Sequence, residues 1–417
     1  QKIDFLPLVN NRKKTIIFIA LSLLALLLVK REQKEGSFLE SERQYVNWLI
    51  DTKKQKKETS SITLLALDNS EDSVLQDWPP SPLDFAVMLN NLKKYNPGLI
   101  AIEPSLEFPN SPDGLVETLR TTCLNFKKDS LLFSAICQMD QSVNSTKDKG
   151  KKFFDVLKNV NGNTKSIPEF TKTTSMPDQR FAAMGIPIAF TAIDLTQKNP
   201  EINQYKFPLI AKVGNEIIPS FVLKALMLET NTSPDQVLVT LGEKITLNEN
   251  KIIPIDAGGH VEIYPALQKE LSKEKINLLT TPSNELSEKS KSSLNNRIIL
   301  IGNNNVRNIT FRNDDFISNA EFMALAISTI QSGLFISELS PTKEFVIWMI
   351  IIILGSLIIN TKSSKALPRI GLLIIIYLSF NMILFQSNGQ WVSPIIPVAF
   401  FIIIALISLV FSEKKEA

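Results

Sequence analysis

The chain has 417 residues, 44% of them hydrophobic, and a formal net charge of +3 with both signs interspersed. That length allows two or three ordinary domains, and the slightly positive mean hydropathy exceeds the soluble norm, so part of the chain is expected in lipid. The near-balanced charge excludes a nucleic-acid partner, which needs a concentrated basic face.

Residues 1–14 end in Arg12, Lys13 and Lys14 and lead into the apolar run TIIFIALSLLALLLV (15–29), followed at once by Lys30 and Arg31. Basic residues before an apolar run also describe a cleaved signal peptide, but no small-x-small cleavage site follows, so an anchor is expected. Three more apolar runs, 345–359, 370–386 and 391–411, stand near the other end. Measured against a hydrocarbon core of about 30 Å, these runs predict four transmembrane helices. Lys362, Lys365 and Arg369 place the loop between the second and third runs in the cytoplasm, and Lys414 and Lys415 place the tail 412–417 there too. Residues 31–343 are then outside, which predicts a multi-pass protein of a bacterial inner membrane with membrane lipids around its spans.

The outside segment begins with near-helical spacing over 37–59, predicting a helix that leads into the domain. ITLLALDNS (62–70) is a buried-type strand ending in Asp68, Asn69 and Ser70. LDFAVMLNNLKKY (83–95) is a helix with Leu83, Ala86, Val87, Leu89 and Leu92 on one face. LIAIE (99–103) is a second strand. Strand, helix, strand is a crossover unit, which predicts parallel strands and an α/β domain with a mostly parallel sheet. A helix over 113–126 and a strand over 131–137 follow. Residues 140–180, rich in Lys, Asn, Thr and Ser, are expected to be a surface excursion. Strands resume at 186–194, 207–213 and 244–256, with one helix within 216–228, then a strand at 297–303 and a helix over 319–333 closed by Gly333.

The segments ALDNSEDSVLQDWPPSP (66–82), LIAIEPSLEFPNSPDGLVETL (99–119), FPLIAKVGNEIIPSFVLKALML (207–228) and RIILIGNNN (297–305), in that order and with this membrane context, resemble the second class of CHASE domains. These are extracytoplasmic sensory domains carried by bacterial signalling enzymes. The resemblance implies a sensory role. The sequence departs from the family pattern at WPPSP, which lacks the usual Arg, at Glu103 in place of Asp, and at 193–207. Relatives continue into a cytoplasmic output domain where this sequence has SEKKEA (412–417), which predicts an accessory or scaffolding subunit of a membrane assembly. The other reading is a ligand sensor signalling through a separate effector, and either reading admits a homo-oligomer.

In parallel α/β sheets, ligands bind outside the carboxyl ends of the strands. That rule selects Asp68, Asn69, Ser70, Glu103, Ser105, Asn303 and Asn304, with Asp68 and Glu103 expected at the ends of adjacent strands, within reach of a cation or hydroxylated ligand. Helix and loop capping explains the same residue types. No nucleophile elbow, phosphate loop or zinc-protease motif appears, so no catalytic residue, metal or cofactor is expected. His260, the one histidine, reads as a turn residue. Cys123 and Cys137 fall in the outside domain, either as a disulfide or as two separately buried thiols. The apolar runs carry no ionisable residue, which argues against transport. Asn381 is a polar position within the third, suited to an interhelical hydrogen bond.

Overall fold

A computed structural model describes residues 6–34, 38–53, 60–68, 79–138, 153–170, 172–192, 205–279, 288–311, 315–359 and 363–410. It forms two compact units, Lys57–Phe335 and a second made of Gln1–Lys56 with Ile336–Ala417. The helices used below are α1 (Leu6–Lys34), α2 (Leu39–Thr52), α3 (Pro82–Lys93), α4 (Asp113–Leu124), α5 (Phe221–Glu229), α6 (Asn319–Ser332), α7 (Pro341–Ile359), α8 (Ser363–Asn388) and α9 (Ile395–Val410). The main-sheet strands are β1 (Ile62–Leu67), β2 (Leu99–Ile102), β3 (Leu131–Gln138), β4 (Lys172–Ser175), β5 (Ile188–Ala192), β6 (Ser272–Lys275) and β7 (Ile298–Asn303).

The unit 57–335 is a layered α/β structure. Its sheet runs β6-β1-β7-β2-β3, and β3 continues to β5 in parallel and to β4 antiparallel. All six residues of β1 and all four of β2 are buried, as a parallel strand covered on both faces requires. One face carries α3 and α4, whose Phe85, Met88, Leu92, Val116 and Leu119 join Leu65, Ile100, Phe133 and Ile301 in one apolar core. Each such side chain removed from water contributes about 1.5–3 kcal/mol. Helix α3 sits rotated from the predicted phase: Phe85 and Met88 point inward while Leu83 and Val87 are largely exposed. Its start is fixed by a capping box between Ser81 and Asp84, with Pro82 in the first turn.

The other face carries α6, buried from Ala320 through Ile330. Ser318 caps its start by accepting from Glu321 N at 3.1 Å, and Gly333 ends it in the left-handed region at φ 67°. Where α6 crosses β7 the sheet has a glycine. A Cβ on Gly302 would lie 2.1 Å from that of Ala320.

Two sequence expectations change, and one strand appears that the sequence did not announce. Strand β7 lies between β1 and β2, so the strands joined by α3 are parallel but not neighbours. The described part of 140–180 is not a surface excursion throughout: Phe154, Leu157, Ile167 and Phe170 are buried, and β4 pairs with β3. Strand β6 alternates half-buried and exposed residues in a charged SKEK stretch that carries no apolar signal, and it forms the sheet edge.

In the second unit, two helices among the described residues are long and apolar enough to cross a membrane, Thr342–Ile359 and Pro368–Asn388. This corrects the expectation of four. The first run is a 15-residue apolar stretch within α1, spanning about 22 Å. The fourth opens as extended chain, since Gln390 and Trp391 form a short strand, which leaves α9 with 16 residues, about 24 Å. Phe18, Trp348, Ile352, Phe400 and Ile404 form a shared core for α1, α7 and α9, while Leu27, Leu357, Ile375 and Ile383 are more than half exposed. Lys30 of α1 reaches Glu344 of α7 at 3.1 Å and lies over the Trp348 ring.

Candidate functional site

The carboxyl ends of β1, β7 and β2 lie side by side, with Asp68, Asn303–Asn304 and Glu103 following them in that spatial order. Neighbouring strands stand about 4.8 Å apart, so the ends bearing Asp68 and Glu103 are separated by roughly 10 Å rather than one strand spacing. The inserted strand thus separates the two acids expected to act as a pair. Among the described residues no group of three His, Cys, Asp or Glu could hold a metal ion.

Glu103 is instead turned onto β7 and α6. Its Oε2 accepts from Asn303 N at 3.0 Å and its Oε1 from Asn319 Nδ2 at 3.2 Å. The main chain is fixed on both sides, by Glu103 N donating to Ile301 O at 2.9 Å and Ser134 Oγ donating to Glu103 O. Burial pushes the Glu103 carboxyl above its ordinary value, opposed by the two N–H donors from Asn303 and Asn319. The result is one carboxyl that joins two strands and the start of a helix, at the sheet edge where α/β domains take ligands.

The remaining candidates serve the same edge. Asn304 N donates to Leu67 O at 2.9 Å, and Asn303 Oδ1 accepts from Asn305 N at 2.9 Å, a local turn of the kind capping explains. Ser175 Oγ donates to the Glu107 carboxylate and lies 2.8 Å from Ser105 Oγ, whose hydroxyl can donate to it. Asn69 and Ser70 lie outside the described residues. Asn319, Ser134 and Ser175 are participants that sequence reasoning missed. Asn319 had a readable signal, since it directly follows the helix cap Ser318, but Ser134 sits in an apolar strand and Ser175 in the stretch read as an excursion. Arg180, also missed, grips Asp178 through two hydrogen bonds of 2.8 and 2.7 Å and reaches Asp113 at 3.0 Å. The Arg180 side chain holds the Asp178 carboxyl below its ordinary value.

His260 is not in the turn its setting predicts but directly after it, as the first residue of the short strand His260–Glu262, which pairs antiparallel with 206–208. Asp256 Oδ1 accepts from Gly258 N and His260 N, each at 2.9 Å, and lies 3.0 Å from His260 Nδ1. Burial opposes ionisation of Asp256, but the His260 contacts prevail and hold its carboxyl well below the usual range. Cys123 and Cys137 are buried on α4 and β3 as separate thiols in this structure. Burial pushes the Cys123 thiol up to about 12.

A family model described as a CHASE2 domain matches residues 18–359. No curated protein and no solved structure matches the chain.

Proposed function

Because the chain belongs to the CHASE2 family of extracytoplasmic sensory domains, we propose that it is a membrane-anchored, non-enzymatic sensor. In this reading a ligand at the carboxyl edge of the sheet alters the Glu103 junction, and the change leaves the α/β unit through its two chain connections. Membrane crossing would rest on α7 and α8, whose exposed Leu and Ile side chains suit lipid. The accessory-subunit reading has no observation of its own in the fold.

One observation carries the proposal. The segments flanking the α/β unit in sequence, α2 before it and 337–339 after it, are both fastened to the turn 389–393 between α8 and α9. Ser337–Glu338 pairs in parallel with Gln390–Trp391, extended by Leu339 N donating to Trp391 O at 2.9 Å. From α2, Glu42 Oε1 accepts from Ser393 Oγ at 2.6 Å, and Tyr45 Oη accepts from Asn381 Nδ2 at 2.7 Å. Asn381, fully buried, closes the turn by donating to Val392 O at 2.8 Å and accepting from Val392 N at 3.1 Å. Burial, against the Asn381 hydrogen bond, pushes the Tyr45 hydroxyl up to about 12, so it stays a neutral partner. Displacement of either flanking segment is therefore felt at the same turn.

The test is hydrogen–deuterium exchange on the detergent-solubilised chain. Asn381→Leu should raise exchange both in α2 and in 337–339, because the turn that holds them loses three hydrogen bonds of about 1 kcal/mol each. Faster exchange confined to α8 and the turn, with both flanking segments still protected, would contradict the coupling.

A further inference from the structure

The amino edge of the same sheet, opposite the Glu103 junction, borders a cavity of about 610 Å³. That lies within the roughly 300–1,000 Å³ typical of small-molecule sites. Its lining carries three cations, Lys127, Lys128 and Arg297, against two carboxylates, Asp129 and Glu229. Glu229 is already engaged: its Oε1 accepts from Gln331 Nε2 at 2.6 Å and from Ser61 Oγ at 3.0 Å.

Arg297 stands at the start of β7 between the first residues of β1 and β2. Its Nη2 donates to Ser60 O at 2.5 Å and Ile62 O at 2.7 Å, while Nε is enclosed and makes no hydrogen bond. Among the described residues no carboxylate comes within ion-pair distance of this guanidinium. Burial lowers its pKa, and no neighbouring charge opposes the shift. A half-buried cation without a counter-ion is costly, and proteins normally pair such a group. Here the cavity wall holds the cation, the exposed lysines stand on the same lining, and no described carboxylate pairs with it.

We propose that this cavity binds a small organic anion, with its carboxylate or phosphate group against Arg297 and its far side held by Lys127 and Lys128. Guanidinium suits such oxyanions because its planar N–H groups match their geometry. The inference is independent of the signalling role, since it concerns binding alone.

Isothermal titration calorimetry on the full chain in detergent, at fixed ionic strength, provides the test, with citrate, inorganic phosphate and neutral glycerol as probes. Saturable binding of citrate or phosphate, with none of glycerol, is expected. Tighter citrate identifies an organic carboxylate as the class and tighter phosphate a phosphate-bearing one. The double variant Lys127→Gln/Lys128→Gln changes only exposed side chains and should weaken binding about tenfold. Arg297→Lys keeps a charge near the strand ends but loses the planar donors, and should weaken it by a similar factor. No saturable binding of either anion, or binding unchanged in both variants, overturns the proposal.

Discussion

Glu103 carries an acid whose folded-state pKa exceeds its ordinary value, so between the two the folded chain binds more protons than the unfolded one. Stability that the protonated form contributes is present below the ordinary glutamate range and is lost as pH rises through the raised value. Glu103→Gln removes the titration. Thermal unfolding followed from about pH 4 to about pH 8 should show the wild type losing stability relative to this variant, and parallel curves would rule out the buried-acid account. Gly302 gives a steric prediction. The atom a new Cβ would meet is the short Ala320 side chain, which has no rotamer to escape into, so Gly302→Ala forces α6 off the sheet at a cost of about 1–3 kcal/mol. Chemical denaturation should also show that adding Ala320→Gly restores most of the loss, and absence of that rescue would place the strain elsewhere.

Among elements, legibility followed burial. Strands β1, β2, β3 and β7 and helices α3, α4 and α6 were readable because continuous apolar runs between turn residues have few alternatives. The order of the strands was not, because nothing in local sequence states that a strand near residue 300 enters between two strands before residue 103. That single insertion separates Asp68 from Glu103 and gives Glu103 its partners Asn303 and Asn319. Residue types at the site were thus visible, while their pairing was a property of topology. The charged edge strand β6 and the anchors Phe154 and Phe170 were hidden for the opposite reason, since isolated apolar residues among Lys and Ser look like loop. Apolar content alone also overstated the spans. It does not show that the last run starts with extended Gln390–Trp391, the strand that receives Ser337–Glu338.

For the molecule as a whole, the account joins a sensory α/β unit to a helical unit through two flanking segments held at one turn. Its direction depends on Lys362, just before α8, and Lys365 and Arg369, in its first turns, being cytoplasmic while the α/β unit lies outside. Single cysteines at Glu243, exposed in the α/β unit, and at Lys365, near the start of α8, can be probed in intact cells with a membrane-impermeant maleimide. Cys123 and Cys137 are buried, so native background is low. The account predicts labelling of Glu243→Cys in cells whose cytoplasmic membrane is sealed, and of Lys365→Cys only after that membrane is opened. Labelling of Lys365→Cys from outside, or protection of Glu243→Cys until permeabilisation, would contradict it.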